Sequence, residues 1–210
     1  MRRLKAVFFD LDDTLVLTED CDRAAFACVA QLAEELLPGC NGRRLVNEWR
    51  PLFYASPWCP EGKHFRFGEG VEPMVAALQQ RGLQTVVITN GHATVQRQKL
   101  EACAAGRLFR HILVGGEEVA CGGHEKPHPS IFHKACSLAG CLPEEAVHVG
   151  DSLVADVNGA LRAGLAAAVW INRNGERPVP TGLRPAAILS SVLELPSALE
   201  QLQLLPQQEA

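Results

Sequence analysis

The segment FFDLDDTL, residues 8–15, places Asp10, Asp12 and Asp13 within four positions at the end of an apolar run. In an extended chain alternate residues share a face, so Asp10 and Asp12 are expected to point one way and Leu11 the other. Two carboxylates on one face suit a two-part reaction. One attacks an electrophile, and the other passes a proton to the leaving group. An Asp-rich turn ending a strand is the plainer reading of the same octet. Asp13 fits that reading, as a turn residue with no chemistry.

Three further pieces follow later in the chain. Thr89-Asn90-Gly91 begins on the last residue of the run TVVIT. A hydroxyl and a glycine-freed backbone at a helix N-terminus make an anion cradle. Lys126, in HEKPHPS, is a point charge that can hold a phosphate oxygen. In VGDSLVAD, Gly150 lets the backbone come close, and Asp151 can ligate a hard cation through oxygen. Asp156, five positions on, is better placed to orient groups than to bind directly. Capping of the next helix by Asp151-Ser152 is the competing reading.

Gathered at one spot, four such acids carry roughly −4, and two unit charges 4 Å apart repel by roughly 4 kcal/mol at an effective dielectric of 20. A divalent cation makes the crowding tolerable: Mg²⁺ and Lys126 together bring about +3. A phosphoryl group is the anion that such a set would hold. Mg²⁺ would neutralise its charge and align it with the nucleophile.

The elements that must bring these pieces together are legible as short apolar runs. Residues 4–9, 85–89, 111–114, 146–149 and 167–171 read as buried strands. Helical spacing is predicted over 70–80, 93–104, 129–139, 154–163 and 196–204. Alternation of strand and helix with near-continuous apolar strands implies an α/β fold, a parallel sheet covered on both faces. Ligands in such sheets sit beyond the carboxyl ends of the strands, and each polar piece directly follows a strand or precedes a helix.

Residues 17–67 break the alternation. A helix to about residue 37, capped by Asp20 or Asp22, and a second over 43–54 are predicted, with Pro51 threatening the second. This gives a core of 1–16 and 68–210 with a helical insertion at 17–67. Trp49, Phe53 and Trp58 read as packing aromatics of the insertion, and Trp170 as core. His92 reads as helix-terminal surface, and Asn172 and Asn174 as a turn or a substrate contact.

The net charge of −4 and scattered basic residues argue against a nucleic-acid partner. No stretch of 18 apolar residues suggests a membrane span. A strand-like run from residue 4 leaves no room for a leader, so a cytoplasmic setting is expected. The eight cysteines form no C-x-x-C pair and read as free thiols.

Asp10-x-Asp12-x-Thr14, Thr89, Lys126 and Gly150-Asp151-Ser152-x-x-x-Asp156, in this order over residues 6–164, resemble the haloacid-dehalogenase-like superfamily. The resemblance implies a Rossmann-like core, a helical cap after the first strand and an aspartyl-phosphate intermediate. It makes Asp10 the nucleophile and Asp12 the general acid/base. It has Mg²⁺ held by the Asp10 carboxylate, the Asp12 main-chain carbonyl and Asp151, with Asp156 supporting the metal site. Thr89, Asn90, Gly91 and Lys126 would bind phosphate. The segments VVITNG, LVGGEE, EKPHPSIF, VWINRNG and SSVLELPSAL are similar to one branch of that superfamily, which dephosphorylates a sialic acid 9-phosphate.

The insertion departs from the pattern. A four-helix cap needs roughly 60 residues or more, so this one is short. That leaves two alternatives: a phosphatase of another small sugar phosphate, or a short-cap form that serves as a binding fold. Carbon–halogen hydrolysis is disfavoured by Asp12, because a departing halide needs no proton. Phosphosugar isomerisation needs a cap that retains the intermediate. Completeness of the Asp10, Asp12, Thr89, Lys126 and Asp151 set favours an enzyme over a degenerate binder.

Overall fold

A computed structural model describes residues 3–55, 65–173, 175, 178 and 181–205, without the side chains of 19–21 and 51–55. Trp58, Asn174 and the side chain of Phe53 lie outside the described residues. The chain divides into two compact units, residues 1–16 with 64–210, and residues 17–63. The division falls a few residues before the expected 67/68. Phe65 and Phe67 belong to the larger unit, where both are buried.

The larger unit is built on a parallel sheet. Its strands are β1 (Ala6–Phe9), β2 (Gln84–Thr89), β3 (His111–Val114), β4 (Ala146–Gly150), β5 (Ala167–Ile171) and β6 (Ala187–Leu189). Their spatial order is β3-β2-β1-β4-β5-β6. Every residue of β1, β4 and β5 is buried, which requires cover on both faces. One face carries Phe8, Ile88, Ile131, Phe132, Val157 and Trp170 in a single cluster. On the other, Phe9 and Phe67 each meet Phe109 edge to face, at 6.1 and 6.0 Å between centroids.

Five strands lie where the apolar runs predict them. The sixth, β6, has only three residues, too few for periodicity to register. The helices of this unit are α3 (Val71–Gln80), α4 (Ala93–Ala102), α5 (Gly115–Ala120), α6 (Pro129–Ala139), α7 (Gly159–Arg162) and α8 (Leu195–Gln201). Helix α5 is new: no helix is predicted between the third strand and residue 129. The helix expected from residue 154 opens instead as a wide π-type turn, Leu153–Asn158, before α7. Ser152 caps that turn, its Oγ accepting from Ala155 N at 3.1 Å.

The smaller unit holds α1 (Thr18–Leu36) and α2 (Gly42–Ala55). Helix α1 begins at Thr18, with Leu17 at its N-cap position, so both Asp20 and Asp22 fall inside the helix and not ahead of it. Asn41 does cap α2, its Oδ1 accepting from Arg44 N at 2.9 Å. Helix α2 runs through Pro51 to Ala55. Phe26 and Trp49 meet edge to face at 5.9 Å, with the Arg50 guanidinium 5.0 Å over the Phe26 ring.

Strand order places β1 between β2 and β4. The chain runs from β1 outward to β2 and β3 on one side and then crosses back to β4 on the other, so a crevice opens beyond the ends of β1 and β4. The register pairs Phe9 with Val149, and Asp10 N donates to Val149 O at 2.9 Å. The residues that follow these two strands, Asp10 and Asp151, therefore enter the same crevice.

Candidate active site

Asp10, Asp151 and Asp156 converge: each offers an oxygen within 4.8 Å of the others. Octahedral Mg²⁺ holds oxygens at about 2.0–2.1 Å, hence about 3–4.2 Å from one another, so small side-chain rotations reach that geometry. The donor set is all oxygen, as a hard cation prefers. Three carboxylates here face one ammonium, that of Lys126. The deficit of positive charge is the physical reason the residues fit a divalent cation.

Lys126 is buried, and its three N–H donors are all used. Nζ donates to Asp10 Oδ1 at 2.6 Å, to Asp156 Oδ1 at 2.7 Å and to Ile88 O at 2.7 Å. Burial works against its charge, but Asp10 and Asp156 overcome this and hold it firmly as an ammonium. Lys126, expected to hold a phosphate oxygen, is thus also an internal counter-ion. A phosphate oxygen would have to share its donors with Asp10 or Asp156.

Asp156 is almost fully buried. Oδ1 accepts from Lys126 and from His148 Nε2 at 2.8 Å, and Oδ2 accepts from Ser152 N at 2.9 Å. Burial raises its carboxyl pKa, and Lys126 and His148 more than reverse that, leaving it well below the usual range. With both oxygens engaged, Asp156 is an organiser of the site, and Asp10 and Asp151 are the better direct ligands. Asp10 has the opposite balance. Burial is the largest influence and pushes its pKa up to about 8, Lys126 pulls it down, and Asp156 and Asp151 push it further up. A cation beside it would restore the anion.

Asp12 turns to different partners. Its Oδ1 accepts from Lys99 Nζ at 2.7 Å and its Oδ2 from Gln96 Nε2 at 3.0 Å. Both donors come from α4. Asp12 is expected to gather with Asp10, Asp151 and Asp156 at one spot, but its carboxylate is held by α4 instead: extension stops at the strand end, and Asp13 adopts φ 55°. A tight loop follows, in which Leu15 N and Val16 N donate to Leu11 O and Asp13 N donates to Val16 O. The expected group of four acids is therefore three acids with Lys126, and one acid with Lys99.

Thr89 ends β2 and is buried, with Oγ1 3.3 Å from Asn90 O. The Asn90 side chain bonds the main chain of Lys126 in both directions, Nδ2 to the carbonyl at 2.7 Å and Oδ1 from the amide at 3.0 Å. Its side-chain amide thus fixes the Lys126 loop. Gly91, at φ 115°, accepts from Gly116 N at 3.1 Å. The paired glycines at the start of α5 dock on this loop.

His92 is exposed at the N-cap of α4. Asn172 lies in a turn, its carbonyl accepting from Gly175 N at 3.1 Å. Trp170 is fully buried, and its Nε1 donates to Asp151 O at 2.8 Å. It thus packs the core and fixes the backbone of a candidate ligand. Three polar residues escaped the sequence reading: Gln96, Lys99 and His148. Gln96 and Lys99 are one turn apart on α4 beside Leu100, so both fall on the buried face. His148 is a lone polar residue inside an otherwise apolar strand.

A family model described as haloacid dehalogenase-like hydrolase matches residues 66–164. The human N-acylneuraminate-9-phosphatase is 32% identical, with 96% of each chain covered. That alignment runs over 247 positions, more than the 210 residues here, so the relative carries positions with no counterpart in this chain. The glyceraldehyde 3-phosphate phosphatase of Pyrococcus furiosus is 31% identical over 81% of each chain. Among solved structures, a HAD phosphatase from Thermococcus onnurineus superposes with a TM-score of 0.68 at 25% identity, covering 93% of this chain and 98% of its own.

Proposed function

The chain belongs to the haloacid dehalogenase-like hydrolases, and we propose that, as one of their phosphatases, it hydrolyses a sugar phosphate monoester through a phosphorylated Asp10. The convergence of Asp10 and Asp151 beside the buried Lys126 is the observation that carries this reading.

Asp10 and Asp151, with the Asp12 main-chain carbonyl, are the residues that would hold Mg²⁺, which supplies charge neutralisation for the phosphoryl group. The remaining work falls to the chain itself. A carboxylate oxygen of Asp10 attacks phosphorus, and the bond to the sugar oxygen breaks. Asp12 gives its proton to the departing alkoxide, then takes one from the water that attacks the aspartyl phosphate. Phosphate leaves, and Asp10 is regenerated. Thr89 and the Gly91 backbone would receive phosphate oxygens at the end of β2. Asp156 keeps Lys126 in register with Asp10.

The substrate we favour is N-acylneuraminate 9-phosphate, on the likeness to the phosphatases of that name. Residues 17–63 would serve as the cap over the sugar. The short span of that unit, 17–63, and a second likeness to glyceraldehyde 3-phosphate phosphatases support the alternative of another small sugar phosphate. No described helix is long and apolar enough to cross a membrane. The cysteines described in full, six of them, are all free, which suits the reducing cytosol we propose as its setting.

Phosphate release from N-acylneuraminate 9-phosphate and a panel of small sugar phosphates, with Mg²⁺ and then with a chelator, tests both levels. Preference for the sialic acid ester supports the narrow reading, and indifference leaves the broad one. Full activity in chelator would overturn the metal-dependent mechanism. Asp10→Asn, still folded by circular dichroism, should release no phosphate.

A further inference from the structure

Helix α6 ends in a Schellman turn. Gly140 adopts φ 65°, Gly140 N donates to Ser137 O at 3.3 Å, and Cys141 N donates to Cys136 O at 3.0 Å. This pair of bonds folds the chain back so that the residue after the glycine meets the residue that opens the last turn. An apolar contact is usual at those two places. Here both are cysteine, and the turn brings their side chains together. Cys136 is buried and Cys141 is half-buried. Both line a shallow cleft of about 270 Å³ with Lys5, Ser137 and Glu145. The cleft lies beside the start of β4, at the opposite end of the strand from Asp151.

From this turn we infer that Cys136 and Cys141 form a reversible disulfide when the protein meets a peroxide. The cleft admits a small oxidant to Cys141. Contact with the Cys136 thiol, and to a lesser degree Lys5, draws the Cys141 thiol below its usual pKa, while burial and Glu145 oppose this. The Cys141 thiolate attacks one peroxide oxygen, the O–O bond breaks and hydroxide leaves, giving a sulfenic acid. The Cys136 sulfur then attacks the Cys141 sulfur. The S–S bond forms, the S–O bond breaks, and hydroxide departs with the Cys136 proton as water. Two thiols and one peroxide become one disulfide and two waters. Sulfur is oxidised and peroxide reduced. A dithiol reverses the bond by thiol–disulfide exchange.

Trypsin gives the peptide 135–162, which holds both cysteines and no other. After hydrogen peroxide treatment of the native protein, that peptide should be lighter by two hydrogens, and dithiothreitol should restore it. In Cys136→Ser, dimedone should trap a sulfenic acid on Cys141. In Cys141→Ser neither product should form. Peptide that gains oxygen without ever losing two hydrogens, or a dimedone adduct on Cys136 instead of Cys141, would overturn the proposal. If a variant fails to fold, the mass change in the unaltered chain decides alone.

Discussion

The Lys99 ammonium donates to Asp12 Oδ1 at 2.7 Å, just as Lys126 donates to Asp10 Oδ1 at 2.6 Å. Each carboxylate of the Asp-x-Asp pair thus has its own lysine. The lysines come from different elements, α4 for one and the loop before α6 for the other. Two acids two residues apart can then carry different duties, because their electrostatic surroundings are set separately. Lys99 is itself largely buried and lies 5.4 Å from the Phe65 ring centroid, so its position is fixed by packing as well as by charge.

If Asp12 transfers the proton and Lys99 positions it, Asp12→Asn should lower kcat by about 10²–10⁴. Lys99→Met should lower kcat by roughly tenfold, with KM nearly unchanged, because the group it positions acts in the transition state. The double variant should be no slower than Asp12→Asn alone. Steady-state kinetics on the best substrate of the panel gives all three values. Additive losses would mean that Lys99 acts through something other than Asp12.

Lys126 neutralises two buried carboxylates at once. Removing one partner of a buried pair leaves an uncompensated charge, at a cost of about 3–5 kcal/mol. Lys126→Met is therefore expected to lose roughly that much stability in urea unfolding. Added Mg²⁺ should recover part of the loss, since it supplies charge at the same carboxylates and binds only the folded state. A variant as stable as the unaltered protein would mean that the carboxylates simply protonate when the lysine is gone.

His148 gives the stability an acid limb. Burial lowers its pKa below the ordinary 6.5, against the opposing pull of Asp156. The folded protein therefore keeps it neutral while the unfolded chain takes up a proton below pH 6.5. The unfolded state binds more protons there, so stability is lost as the pH falls below 6.5, by at most about 1.4 kcal/mol per unit for one proton. Asp10, raised to about 8, contributes with the opposite sign between pH 3.8 and 8 in the metal-free protein. Comparison with His148→Gln cancels that contribution. Urea unfolding in chelator from pH 7 to 5 should show a shallower acid limb in the variant. Identical limbs would assign the acid sensitivity elsewhere.

The sheet was readable because each strand end coincides with a change from apolar to polar residues. The pairing of Asp10 with Asp151 then follows from β1 and β4 being neighbours. What resisted reading was tertiary. The fate of Asp12 depends on which face of α4 is buried, and Gln96 and Lys99 look like surface residues in an otherwise ordinary polar helix. His148 hides inside AVHVG, where alternation gives no reason to separate it from its neighbours. The partners of Lys126 come from 38, 30 and 116 residues away, beyond the reach of any local pattern. Asn90, read as an anion ligand, braces the Lys126 loop for the same reason. The π-type turn at 153–158 is written in the contact between Gly150 and Asp156, not in helix propensity.

That contact can be tested directly. A Cβ at Gly150 would overlap Asp156 Cγ and Oδ2, and the Asp156 carboxylate is held by Lys126, His148 and Ser152 N. The carboxylate has no slack, so Gly150→Ala must shift it or the strand. Overpacking of this kind is expected to cost about 1–3 kcal/mol, and displacement of Asp156 should loosen Lys126 and weaken Mg²⁺ binding together. Gly106→Ala is the control: nothing lies within 4 Å of its added Cβ, and its stability should stay within about 0.5 kcal/mol of the original. Urea unfolding and Mg²⁺ titration of both variants supply the comparison. If Gly150→Ala unfolds and binds Mg²⁺ like the control, Asp156 does not depend on that close approach, and its organising role at the strand end is lost.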